Sequence, residues 1–177
     1  IVGGGFTGLS AALRLAQRGA SVVVLEAGPT VAPEASSRNG GHVNNGLAVD
    51  YAEVAAKVGV GRARAWYQAY DSAVDAVEQL VQQEQIDCGF LRHGKLKLAT
   101  KEHQVDALHR SAERLVADGV DTDVEVLNAD QVRSEVQSER FVGGLLYKRS
   151  AQMHMGRFAL GLAQAAQHFE AAHLRHH

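Results

Sequence analysis

The sequence predicts an α/β protein built of two unlike parts, on three observations. Glycines at positions 3, 5 and 8 follow a pair of β-branched residues and precede an apolar, Ala-rich run. A second short apolar segment, Val22-Val23-Val24-Leu25, closes on an acid, Glu26. From Leu47 onward the pattern changes to helical stripes separated by short, amphipathic strands.

The opening stretch orders a strand, a tight turn and a helix. Gly3 permits a turn too tight for a Cβ, Gly5 lets the backbone approach a diphosphate, and Gly8 lets the helix lie close on the strand. The unpaired N–H groups and the positive dipole end of that helix then face the anion. The helix reads from Leu9 to Arg18 and stops at Gly19, a suitable C′ residue. Ser21 to Leu25 reads as a buried parallel strand. Glu26 falls eighteen positions after Gly8, near the ~20 expected of an acid that bonds a ribose hydroxyl. The unit is therefore Rossmann-like and binds an adenine dinucleotide. The charge of Glu26 would repel a ribose 2′-phosphate, so the ligand is FAD or NAD and not NADP. Residue physics leaves those two open, since both present an ADP half.

Gly28 to Pro33 carries both prolines and reads as loop. It leads into Glu34-Ala35-Ser36-Ser37-Arg38-Asn39-Gly40-Gly41-His42, a polar segment directly downstream of the acid. This run, together with Gly3-Gly4-Gly5-Phe6-Thr7-Gly8-Leu9-Ser10, resembles the FAD-dependent amine and amino-acid oxidoreductases of the D-amino-acid oxidase superfamily. Within it the likeness is closest to the gamma-glutamylputrescine oxidase type. It extends over Gly94-Lys95-Leu96, Val142-Gly143-Gly144-Leu145, Met153-His154 and Leu160-Gly161-Leu162-Ala163, and so spans roughly residues 1–166. Met155, where relatives have Pro, and the tail beyond Gln167 depart from it.

The resemblance implies FAD as cofactor. Its contacts would be Gly3, Gly5, Phe6, Thr7 and Gly8 in the turn, Glu26 and Ala27 after the second strand, and Ser37, Arg38, Asn39, Gly40 and Gly41 along the diphosphate or isoalloxazine. A cation such as Arg38 near the ring would stabilise negative charge on reduced flavin.

Helical spacing places Tyr51, Val54, Ala55 and Val58 on one face after Asp50, with Gly59 and Gly61 as interruptions. Trp66, Ala69, Ala73, Val77, Leu80 and Val81 form the next stripe. Its aromatics, Trp66, Tyr67 and Tyr70, read as core packing rather than a substrate box. Gly94 to Ala99 alternates as a strand, with Lys95 and Lys97 on a solvated face. Thr100 is placed to cap a helix whose stripe is Val105, Leu108, Ala112, Leu115 and Val116, and Asp118-Gly119 ends it. Val124 to Leu127 is a strand. Asn128-Ala129-Asp130-Gln131 has the form of a capping box opening a helix through Val136. Phe141 to Tyr147 is another strand, its glycine pair allowing a bulge or close approach. His154 reads as a turn residue before a helix over residues 156–166.

These elements divide the chain into a nucleotide part over residues 1–46, a partial, inserted α+β substrate domain over 47–150, and a return helix with an atypical tail over 151–177. His168, His173, His176 and His177 in that tail read as an altered terminus and not as a metal site. The chain opens on Ile1, already inside a strand, and the sheet holds too few parallel strands for a complete doubly wound fold. An incomplete fold that binds FAD weakly or not at all is therefore expected.

Bulk composition narrows the partners. A net charge of −2 gives no electrostatic case for nucleic acid or an anionic membrane. No apolar run reaches the ~18 residues of a membrane span, and no signal peptide is visible. The single cysteine, Cys88, excludes an internal disulfide and fits a reducing cytoplasm. It reads as a small buried hydrophobe. No base, nucleophile or paired carboxylate stands out, so the catalytic residues are unassigned. The leading expectation is oxidation of the C–N bond of a small amine or amino acid, with hydride passed to FAD and an imine as product. An NAD-dependent dehydrogenase and a non-catalytic truncated remnant are the alternatives.

Overall fold

The computed structural model describes the backbone of residues 1–174 and the side chains of 1–168. The elements in chain order are α1 (Phe6–Ala16), β1 (His42–Val43), α2 (Tyr51–Val58), α3 (Val60–Gln83), β2 (Lys95–Ala99), α4 (Glu102–Ala117), β3 (Val124–Asn128), α5 (Ala129–Val136), β4 (Gly143–Tyr147), β5 (Ala151–Gln152) and α6 (Met155–Leu174). They form two compact units. One comprises Ile1–His42, Val77–Leu91 and the chain from Met153 on, and the other Val43–Ala76 and Arg92–Gln152. Among the described residues no helix is long and apolar enough to cross a membrane.

In the first unit α1 packs on α6. Leu9, Ala12, Leu13 and Ala16 of α1 are buried, as are Phe158, Ala159, Leu162 and Ala165 of α6. The rings of Phe6 and Phe158 meet with centroids 5.5 Å apart. Gly19, at φ +81°, ends the first helix as its sequence position requires. Ile86 packs where a Cβ on Gly161 would stand 2.3 Å from its Cγ2. Cys88 is buried beside Met153 Sδ, 3.9 Å away, and burial pushes its thiol pKa up. The Cys88 carbonyl accepts the N–H of His154 at 2.7 Å. His154 Nδ1 in turn accepts the N–H of Arg157, at 3.3 Å, in the first turn of α6.

In the second unit β4 is the central strand of an antiparallel sheet of order β2-β4-β3. Leu145 stands opposite both Lys97 and Val126 and is fully buried with Ala99, Leu108 and Ala112. Gly143 and Gly144 leave room for Val105 of α4 and Val132 of α5, whose methyls would lie 2.9 and 3.2 Å from an added Cβ. The expected capping box at the start of α5 is present: Asn128 Oδ1 accepts the Gln131 N–H at 3.0 Å, and Gln131 Oε1 accepts the Asn128 N–H at 2.9 Å.

Five expectations are corrected. The segment Ser21–Leu25 does not form a full strand: it makes one parallel bridge, Val2 to Leu25, and ladder pairing, not the β-branched run alone, defines a strand. Gly61 does not interrupt a helix; Gly59, at φ +85°, makes the break alone and Gly61 lies inside α3. The buried face of α3 in this unit is Ala63, Tyr67, Asp71 and Val74, whereas Trp66 and Tyr70 are each 49% exposed. Thr100 does not cap α4. The Gln104 side chain does that from inside the helix, its Oε1 accepting the N–H groups of Thr100 and Lys101 at 2.8 and 3.1 Å. Lys95 is half-buried rather than solvated.

Candidate functional site

The glycine turn and Glu26 form one backbone-lined site. Leu25 N–H donates to the Ile1 carbonyl and Gly3 N–H to the Leu25 carbonyl, each at 2.8 Å. These bonds fix the two segments side by side and bring Glu26 level with the turn. One carboxylate oxygen accepts the Gly4 N–H at 2.7 Å and the other the Gly28 N–H at 2.8 Å. Those bonds, from Gly28 first and Gly4 second, hold its pKa below the usual carboxylate value. Each oxygen has accepted one bond and retains a lone pair for a further donor.

Close approach explains Gly8. A Cβ there would stand 1.9 Å from the Gly3 carbonyl oxygen, closer than any contact permits. α1 starts directly over the turn, with Gly5 extended before it. The Phe6 N–H donates to Ser36 Oγ at 3.3 Å. The N–H groups of Thr7 and Gly8 have no protein acceptor among the described residues. Two free amides and the positive end of an eleven-residue helix therefore meet at one point.

The 34–41 segment behaves differently. Ala32 N–H donates to the Gly4 carbonyl at 3.0 Å, which ties the loop to the turn. Ser37 Oγ donates to the Ala32 carbonyl at 2.6 Å. Asn39 accepts the Gly41 N–H at 3.0 Å and donates to the Ala35 carbonyl at 3.0 Å. Ser37 and Asn39 thus shape the loop rather than reach the glycines. Gly41 is buried at φ +73°, where a Cβ would meet the Met153 carbonyl oxygen at 2.2 Å. Ala27, Arg38 and Gly40 are exposed. Ser36, Gly4 and Gly28 belong to the site though sequence reasoning passed over them. The double Ser36-Ser37 was the signal for the first; nothing in the residue pattern singles out which amides a carboxylate will choose.

The second unit holds a buried polar hub. Tyr67 donates its hydroxyl to Asp121 Oδ2 at 2.9 Å, and Asn45 Nδ2 donates to the same oxygen at 3.1 Å. Ser150 Oγ donates to Asn45 Oδ1 at 2.7 Å. Burial, with the Asp121 charge second, pushes the Tyr67 pKa far above that of a free phenol. Among the described residues no cluster of His, Cys, Asp and Glu is arranged to hold a metal; His173, His176 and His177 lie outside the described side chains.

Comparison with known proteins agrees with this geometry. The model of the DAO family, described as FAD dependent oxidoreductase, matches residues 1–176. Gamma-glutamylputrescine oxidoreductase of Escherichia coli is 35% identical over 93% of this chain and 38% of its own length. A probable oxidoreductase of Haemophilus influenzae is 30% identical over the same shares. Among solved structures, glycine oxidase from Geobacillus kaustophilus superposes with a TM-score of 0.71 at 26% identity, over 95% of this chain and 43% of that one. L-alpha-glycerophosphate oxidase from Mycoplasma pneumoniae with FAD bound gives a TM-score of 0.70 at 20% identity, over 95% and 41%, and so shares the fold. The chain spans less than half the length of these relatives.

Proposed function

Since the chain belongs to the DAO family of FAD-dependent oxidoreductases, we propose that it supplies the dinucleotide grip of an enzyme that oxidises the C–N bond of a small amine or amino acid. The Glu26 carboxylate, held against the glycine turn beside two free amides, carries the reading.

The residues fit the cofactor. The amides of Thr7 and Gly8 would donate to its diphosphate, with the Ser36 hydroxyl alongside. Glu26 would accept a ribose hydroxyl on the lone pairs its backbone bonds leave open. Its two N–H bonds hold the carboxylate in place before the ligand arrives, so no side-chain entropy is lost on binding. Gly3, Gly5 and Gly8 keep the surface free of Cβ atoms. Ser37 and Asn39 would hold the loop that presents Arg38, Gly40 and Gly41 to the rest of the cofactor. A bound flavin would supply a two-electron acceptor for the hydride of the substrate's C–N carbon, the imine resulting once the nitrogen also gives up a proton.

The bond type rests on the relatives, since a shared fold does not fix a reaction. The E. coli relative is named for an amine and the Geobacillus structure for an amino acid. We assign the first unit to the cofactor and the second to the substrate side. Calorimetric titration of the chain with ADP tests the grip alone. Binding should weaken about tenfold in Glu26→Gln, a loss of one charge-assisted bond at about 1.5 kcal/mol. Equal binding by wild type and variant, or preference for NAD over FAD in competition, would overturn the assignment. An amine and amino-acid panel, read as peroxide release or dye reduction by a full-length protein that contains this chain, tests the reaction.

A further inference from the structure

The second unit contains a cavity of about 300 Å³ lined by residues 45–51 of one loop and helix start, Tyr67, β2, Tyr147 and the Ser111–Leu115 face of α4. Its walls mix polar and apolar surface, with Leu47, Val49 and Leu115 among the apolar members. Lys95 and Lys97 both line it, two positions apart on β2 and hence on one face of the strand. Lys95 is half-buried, its ammonium 4.4 Å above the Tyr147 ring and 3.4 Å from the Asn45 carbonyl. No carboxylate forms an ion pair with it among the described residues. An ammonium has three donors, so two remain beyond the Asn45 bond.

The acid in the lining is already engaged. Asp50 Oδ1 accepts the Ala52 N–H at 2.8 Å and Oδ2 the Ser111 hydroxyl at 2.8 Å. Asp121 is held by Tyr67 and Asn45. The cavity therefore joins two cations to apolar side chains, with one acid whose oxygens face other partners. Burial, with Lys97 second, disfavours the charged form of Lys95, against Asp121. An incoming anion would relieve that strain.

We propose that this cavity binds a small carboxylate with a short apolar body, and that Lys95 is the residue that receives the carboxylate. The apolar part of the lining distinguishes such a ligand from a bare anion, which would leave Leu47, Val49 and Leu115 in contact with water. The inference is independent of FAD.

Lysine pKa values of the full chain, read by NMR after reductive ¹³C-methylation, test it with pentanoate and inorganic phosphate as probes. Without ligand, the Lys95 signal should titrate below that of Lys148. Pentanoate should shift the Lys95 signal saturably and raise its pKa, leaving Lys57 unmoved. Phosphate should do so at least tenfold more weakly. Lys95→Met should weaken pentanoate binding about tenfold, measured by calorimetry. Lys95→Arg, which keeps a cation and guards against a folding defect, should retain part of it. Uniform shifts at all lysines, no saturation, equal binding of phosphate, or undiminished binding by a folded Lys95→Met would each overturn the proposal.

Discussion

Replacing Gly8 by Ala isolates the contact on which the nucleotide turn depends. The added Cβ would lie 1.9 Å from the Gly3 carbonyl oxygen and 3.1 Å from its carbon. Both are backbone atoms, so no side chain can swing away. Reaching an ordinary separation requires more than 1 Å of backbone movement. The Gly3 N–H bond to Leu25 and the Leu25 N–H bond to Ile1 lie on the segment that would move. Losing them costs ~1 kcal/mol each, and residual overpacking adds ~1–3 kcal/mol. Better helix propensity offsets ~1 kcal/mol of this. The net is ~2–4 kcal/mol against the first unit. Gly3→Ala is the matched comparison: no atom lies within 4 Å of its Cβ, and only the φ of +97° opposes it. That strain is worth ~1–2 kcal/mol. Amide hydrogen exchange at Leu13 and Ala16 of α1 reads local stability for both variants. A Gly8→Ala protein that protects these amides as well as wild type, or better than Gly3→Ala, would refute the steric argument.

Three other outcomes follow from the bonds described. Glu26 has a folded pKa below its unfolded value, so its contribution is complete above the unfolded pKa and is lost as pH falls through the folded one. Acid titration of wild type against Glu26→Gln should show the wild-type α1 amides losing protection over that window and the variant lacking the step. Tyr67→Phe removes a donor from buried Asp121 and should destabilise the second unit by ~1.5–3 kcal/mol in urea unfolding; near-ultraviolet titration should find the Tyr67 phenol still protonated well above the ordinary phenol range. Asn128→Ala removes the side-chain half of the α5 box, the Oδ1 that accepts the Gln131 N–H, and leaves the backbone N–H of position 128 on Gln131 Oε1; it should cost ~1 kcal/mol, seen as faster exchange in the first turn of α5 while α4 is unchanged.

The features legible in the sequence are those written in backbone conformation or in neighbouring residues. Gly8 announces a close approach because any side chain would collide there. Gly19 and Asn128 mark helix ends through geometry set within a few positions. The Ser21–Leu25 run pairs at one bridge only, to Val2, because a ladder depends on a second segment that the run itself does not specify. α3 shows why a stripe is ambiguous. It carries two apolar faces one residue apart, Trp66-Ala69-Ala73 and Ala63-Tyr67-Val74, and periodicity weighs them alike. Asp121 decides between them, fifty-four positions away, because only Tyr67 can bring a hydroxyl to it.

The same distance separates the two candidate sites in kind. The proposed cofactor grip is built from amides, and the side chain proposed to complete it, Glu26, is fixed by N–H groups of the turn and of a residue two positions on. Local sequence can encode all of that. The cavity in the second unit is built from residues brought in by a loop, two strands and three helices. Lys95 alternates with apolar neighbours as any solvated strand lysine would. Its character comes from the Asn45 carbonyl fifty positions earlier and the Tyr147 ring on the adjacent strand. Neither is marked in the residues around it. Burial by the surrounding loop and helices, which the strand's own pattern does not encode, disfavours the charged form of Lys95; under the proposal that burial, with the Asn45 and Tyr147 contacts fixing the ammonium in the cavity, is what makes Lys95 an anion receptor.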